Sequence, residues 1–424
     1  MNVVTDLIQD TPLPQMIKIR QKFDNTSIPL EQVRKTVLKE LSRPEIVCRI
    51  KPGMTVAITC GSRGINSGAV MAKAIVDFLK EKGAVPFITA AMGSHGGATA
   101  EGQLQILTDY GITEAAMGCP VKSSMEVTEV GKTEEGDPVI IDRNAAEADG
   151  IFLLNRVKPH TSYRGVYESG LMKMLAIGLG KQAGAEAIHG KHPSKMKDAV
   201  PMYGKVILQN KNILGGIAVV ENAYDNPCVI RALTPSEILT EEPKLKELSY
   251  QTIARLLFDS CDVLIVDQIG KNISGDGMDP NVTGRFCTEY ASGGIQAQRV
   301  VVLDLTNETH GNAHGCGLAD VTTQRLYQKM KMEMTYPTAV TNTFLNLMKI
   351  PMVMDNDREA IQLAIKSCHE IGPEGPRMIR VKNTAQIEDI EVSEALLPEV
   401  LKNPNLEKLS EPYEWSFNPE GNLW

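Results

Sequence analysis

The sequence predicts an α/β chain of two domains, with mostly parallel sheets covered by helices. Three observations carry that prediction. Short apolar runs alternate along the chain with amphipathic stretches of helical spacing. The core of one run, Ile151-Phe152-Leu153-Leu154, has no polar member, as in a strand covered on both faces. The length, 424 residues, is two or three times the roughly 150 residues of an ordinary domain.

The elements follow in order. Residues 54–59 form the first strand candidate, which runs into the small-residue turn Cys60-Gly61-Ser62-Arg63-Gly64. Helical spacing covers 69–82 and stops at Gly83, a residue suited to the left-handed position that closes a helix. A second strand is expected over 85–91, then a helix over 99–110 opening with Thr99 and an early Glu101. Strands at 149–155, 214–221, 262–267 and 299–305 repeat the pattern, separated by helical stretches such as 243–258. The charged, proline-containing segment 239–244 separates two strand–helix sets, so the expected domains are 1–245 and 246–400. Residues 401–424, with Pro404, Pro412, Pro419 and Gly421, are expected as an irregular tail. No internal repeat is evident.

Composition narrows the function classes. Lys and Arg number 44 against 52 Asp and Glu, a formal charge of −8, with no long basic run, which argues against nucleic acid or an anionic membrane as partner. No apolar stretch approaches the roughly 20 residues of a spanning helix. Asp6 and Asp10 stand where a secretory signal would be basic and then apolar, and the eight cysteines form no Cys-x-x-Cys pair. A cytoplasmic chain with reduced thiols is the expectation.

In open parallel sheets ligands bind at the carboxyl ends of the strands. Three such ends are chemically equipped: Cys60-Gly61-Ser62-Arg63, Gly93-Ser94-His95-Gly96-Gly97, and Asn155-Arg156-Val157-Lys158-Pro159-His160. Of the seven histidines, His95 and His160 directly follow strands, and imidazoles titrating near neutral pH suit proton transfer. Arg63 is placed to grip a carboxylate or phosphate, and Lys158 is the preferred phosphate contact. A single structural histidine after a strand is common; two on neighbouring crests form a candidate acid/base pair.

Lys173 lies in a nearly apolar stretch, surroundings that lower an amine's pKa and suit it to nucleophilic or covalent roles; the plainer reading is a lysine snorkelling from a helix. His189 follows 16 residues later. In one unbroken helix, at about 100° per residue, the two would lie roughly 160° apart. They meet at one site only if the helix breaks, and Gly178, Gly180 and Gly184 offer the break.

This constellation, His95 after Gly-Ser, His160 after Lys-Pro, Lys173, then His189, resembles the nickel-pincer nucleotide-dependent lactate racemase family. The resemblance covers the first 200 residues well and the remainder loosely. It implies a cytoplasmic racemase or epimerase that inverts a hydroxyl-bearing carbon of a 2-hydroxy acid or small sugar acid by reversible hydride transfer. It also implies a cofactor, nickel pyridinium-3,5-bisthiocarboxylate mononucleotide, attached covalently at Lys173 and made by separate cofactor-synthesis proteins. His189 would be the nickel ligand, His95 and His160 the acid/base pair, and Ser62, Arg63 and Lys158 cofactor contacts. Residues 1–245 would be the catalytic and cofactor-binding domain, 246–400 would contribute substrate contacts, and the active site would lie in the interdomain cleft. Whether the chain forms a homo-oligomer is left open.

The chain departs from the family pattern in places. Cys60 stands where an acid is usual, and Gly96-Gly97-Ala98 replace bulkier residues, which suggests a substrate larger than lactate. The usual second-domain residues are not recognisable; Lys271 and Asn272, in a Gly-rich loop after the strand 262–267, are the substrate candidates there. Rival features stand beside these: His192 as an alternative ligand, Lys181 as an alternative to Lys173 among more polar neighbours, and His310, His314 and Cys316 as an ordinary divalent-metal site of a sugar-acid isomerase or lyase. A nickel- or nucleotide-binding protein without turnover is the remaining alternative.

Overall fold

The expected strands are present as Thr55–Cys60, Val85–Ala90, Gly150–Arg156, Ile213–Glu221, Ser260–Ile269 and Gln296–Leu305 in a computed structural model that describes residues 3–62 and 64–424. The chain divides into two compact units. One is Asp24–Ile253; in the other, the residues up to Phe23 join Ala254–Trp424. The division therefore falls after residue 253 rather than 245, and the first strand belongs with the C-terminal half.

The unit Asp24–Ile253 is built on six strands in the order Val121–Lys122, Val85–Ala90, Thr55–Cys60, Gly150–Arg156, Ile213–Glu221, Pro227–Leu233. All neighbours are parallel except the last pair. Alternate residues of the central strands feed opposite cores, as the pleat requires. Val56, Ile58, Ile88 and Phe152 face the helices Leu30–Leu41 and Gly68–Glu81, through Val37, Met71, Ile75 and Leu79. Ala57, Ile151 and Leu153 face Leu171, Met172, Leu175, Val200, Tyr203 and Ile207. Thr99 caps the helix Ala100–Asp109 by accepting the Gly102 N–H. A hairpin, Val127–Lys132 with Pro138–Asp142, escaped the sequence reading because its first strand is polar and largely exposed.

The second unit carries eight strands in the order Met352–Met354, Val321–Thr323, Gln296–Leu305, Ser260–Ile269, Met378–Val381, Asp389–Ser393, Met16–Gln21, Leu406–Lys408. The first five are parallel and the rest antiparallel. The expected irregular tail is thus corrected in part. Leu406–Lys408 pairs with Met16–Gln21, Tyr413 bridges Met16, and the Trp415 indole donates to the Pro14 carbonyl at 2.8 Å. The helix expected over 243–258 ends at Thr252, and Leu256 and Phe258 are buried in the core of the second unit. No helix among the described residues is long and apolar enough to cross a membrane.

Candidate active site

In the six-stranded sheet, Thr55–Cys60 is the first strand. The next two in the chain lie on one side of it, and Gly150–Arg156 and Ile213–Glu221 on the other. The order reverses between Thr55–Cys60 and Gly150–Arg156, and a crevice opens at the carboxyl ends of such a pair. Ser62 follows the first of these strands, His95 follows its neighbour, and Lys158 and His160 follow the second.

His95 is exposed, and its Nδ1 is hydrogen-bonded to the Ser62 hydroxyl. The Ser62 carbonyl in turn accepts from the Tyr110 hydroxyl at 2.8 Å. Ser62, expected as a cofactor contact, also orients a histidine. Arg63 lies outside the described residues. Gly96 has φ +66°, and a Cβ there would lie 2.7 Å from the Gln103 nitrogen, so its small size serves the close approach to the helix behind it. Gly97 faces open space.

His160 is held on several sides. Its Nδ1 accepts the Ser162 N–H at 3.0 Å, which places the proton of the neutral ring on Nε2. Its ring lies 4.5 Å from that of Tyr163, centroid to centroid. Its own N–H donates to Glu168 at 2.9 Å, and its carbonyl accepts from Arg164 at 2.5 Å. Glu168 is 1 % exposed and also accepts from Gly165 N–H and the Tyr250 hydroxyl, with Arg164 and Lys246 beside it. The sequence reading missed Glu168 and Tyr250 because no spacing rule links them to His160. Lys158 is half-buried; its N–H donates to the Ser169 hydroxyl, which donates to the Lys158 carbonyl, each at 2.6 Å. Arg156, the other cation of that crest, is ion-paired with the buried Glu221.

The break between Lys173 and His189 takes a specific form. The α-turn Gly170–Lys173 runs into a π-helical turn, Met174–Gly178, closed by Leu179 N–H donating to the Met174 carbonyl at 2.9 Å. A new helix, Lys181–His189, starts with Lys181 in the left-handed region at φ +55°. Gly178 sits where a Cβ would lie 2.8 Å from the Ala91 carbonyl, and its own carbonyl accepts the Gly93 N–H at 3.1 Å. The wide turn is therefore docked on the crest that carries His95. Glu242 is buried at the start of the α-turn and accepts the Leu171 N–H at 2.7 Å; burial pushes its carboxyl up to about 8 against the pull of the Leu171 and Met172 N–H groups.

Lys173 is half-buried and is flanked in sequence by the buried Leu171, Met172, Met174 and Leu175. His189 is exposed, yet surrounding protein and then the Lys173 charge hold its imidazolium down, to about 4. An imidazole neutral at pH 7 is the form a metal binds. The rival His192 caps the turn Pro193–Lys195 through Nδ1. Lys181, expected among polar neighbours, is instead wholly buried, donating to the Ala90 carbonyl and Gln103 and paired with Asp142.

In the second unit, Lys271 Nζ donates to the Gly275 carbonyl at 2.5 Å and Asn272 Oδ1 accepts from the Thr306 hydroxyl at 2.7 Å. His314 is buried 3.6 Å from Asp276, and burial pushes it below the usual imidazole range. The Cys316 thiol faces the Lys349 carbonyl, and His310 is exposed. No group of three or more His, Cys, Asp or Glu among the described residues is arranged to hold a metal ion, so the divalent site at His310, His314 and Cys316 does not form.

Residues 7–200 match the model of the lactate racemase N-terminal domain. The apoprotein of lactate racemase from Thermoanaerobacterium thermosaccharolyticum has a similar fold, with a TM-score of 0.54 at 14 % identity over 87 % of this chain and 99 % of that one. No curated protein matches the chain significantly.

Proposed function

We propose that the chain, whose residues 7–200 match the lactate racemase N-terminal domain, is a racemase or epimerase of 2-hydroxy acids. The observation that carries the proposal is the broken helix, in which a π-turn docked on the His95 crest through Gly93 separates Lys173 from His189.

The residues fit a lysine-tethered nickel-pincer nucleotide. Lys173 would hold the group covalently, His189 would ligate the metal, and Ser62 and Lys158 would face it from the two crests. In this reading one protein ligand, His189, would hold the metal, and a histidine cluster is not called for. When bound, the group supplies an acceptor for the hydride on the substrate's hydroxyl-bearing carbon.

This chain's own residues handle the protons. In the tautomer its loop selects, His160 presents an N–H at Nε2, fit to donate to a substrate oxygen. With its Nδ1–H donating to the Ser62 oxygen, His95 would present an unprotonated Nε2 to take a hydroxyl proton. The two follow different strands of one sheet, as needed to serve opposite faces of a planar 2-oxo acid. The open space at Gly97 supports a substrate of four to six carbons over lactate.

The test is intact mass and nickel content of protein made together with the cofactor-synthesis proteins, followed by a panel of hydroxy acids and aldonates. A covalent adduct absent from Lys173→Ala, stoichiometric nickel, and stereochemical exchange of a four- to six-carbon acid are expected. Nickel-loaded protein that exchanges none of the panel would overturn the activity. A clear preference for lactate would overturn the size assignment.

A further inference from the structure

A buried polar network behind the site has no part in the chemistry just described. Lys181 opens the helix that ends at His189, and its ammonium leaves that helix to donate to the carbonyl of Ala90, the last residue of the strand before His95. It also donates to Gln103 Oε1 at 3.1 Å and lies 3.3 Å from Asp142 Oδ2. Lys181, Gln103 and Asp142 are each 0 % exposed. Gln103 passes the connection on: its Nε2 donates to the Gly93 carbonyl at 2.9 Å and to the His95 carbonyl at 3.1 Å. Asp142 is fixed independently, accepting from the Thr89 hydroxyl and the Ala145 N–H and donating its own N–H to Leu179 at 2.7 Å.

Burying an ammonium is costly unless a carboxylate and hydrogen bonds compensate it, and a methionine of similar length would fill the same space. The charge is therefore better explained by the geometry it imposes. The network ties the left-handed residue at the helix break to the loop that holds His95.

We propose that Lys181 is a positioning residue which, through Gln103, sets the His95 loop relative to the turn carrying Lys173. The proposal deepens the racemase reading and rests on it for its catalytic consequence, while its structural claim stands apart.

Two variants test it. Gln103→Met cuts the tether and leaves the Lys181–Asp142 pair. Lys181→Met combined with Asp142→Asn removes both charges, so that neither is left buried alone. In unloaded full-length protein, the ring nitrogen shifts of His95 are expected to move in both variants while those of His160 stay. In loaded enzyme kcat is expected to fall roughly a hundredfold with KM little changed, the scale of a misplacement of about 1 Å. His95 shifts unchanged in both variants, or His160 shifts moving equally, would overturn the proposal. If loaded wild-type protein exchanges no acid, the racemase reading fails and the ring shifts alone decide the tether.

Discussion

At the carboxyl ends of the six-stranded sheet His95 is exposed and His160 and Lys173 are half-buried, whereas the corresponding loops of the eight-stranded sheet bury His314 against Asp276. The six-stranded sheet reverses its strand order at Thr55–Cys60 and the parallel part of the eight-stranded sheet at Ser260–Ile269, so both have a crevice position by topology. The loops after Ile269 and Leu305 are as rich in Lys, Asn, Asp, His and Gly as those after Cys60 and Ala90. They bond to one another: Lys271 to Gly275, Thr306 to Asn272, the Lys271 N–H to Thr309. In the six-stranded sheet the holding is done by residues behind the crest, Glu168 and Gln103, which grip main-chain atoms of the histidine loops. A loop held from behind can present its imidazole forward. Residue type alone does not separate the two cases; the direction of the supporting bonds does.

The sharpest way to break this comparison is to remove the imidazoles. His95→Ala and His160→Ala are each expected to lower exchange by about 10²- to 10⁴-fold, the usual range for a general acid or base, with nickel still bound. Loss of nickel in either variant would reassign that histidine from proton transfer to metal holding.

A smaller effect is expected from Glu242, beneath the turn of Lys173. Its folded-state pKa of about 8 exceeds the ordinary 4.5, so the folded protein binds the extra proton. Its contribution to stability is present in full below about 4.5 and is lost as pH rises through about 8. Glu242→Gln should flatten that decline in thermal-unfolding curves taken from pH 5 to pH 9. An unaltered slope would place the titration elsewhere.

The smallest change belongs to the eight-stranded sheet. Thr306→Val removes the hydroxyl that Asn272 accepts and should cost about 1 kcal/mol of stability, measured by denaturant unfolding, as for one hydrogen bond. Exchange should be unchanged. A large loss of activity would mean that this loop does more than hold itself.

Strands of the two sheets were legible in sequence because strands covered on both faces are apolar throughout, as at 151–154. Met16–Gln21 was not, since its partners Asp389–Ser393 and Leu406–Lys408 lie at the far end of the chain and local pattern carries no trace of that pairing. The crests were legible for a topological reason: parallel strands put their following loops on one edge. The supporting groups were not. Lys181 was judged by its sequence neighbours Gly180 and Gln182, while its neighbours in space are Ala90, Gln103 and Asp142. The need for a break between Lys173 and His189 followed from helix geometry, and the glycines marked its place. Its form, a π-turn followed by a left-handed lysine, did not follow from either.

A π-turn holds one residue more than an α-turn, so a single insertion or deletion creates or erases it. Residues 174–180 therefore work as a phase setter: each residue added or removed swings His189 about 100° around the helix axis relative to Lys173. Substitutions there that keep the backbone can be absorbed, but changes of length cannot. Chain length, more than side-chain identity, is thus the quantity this segment must preserve.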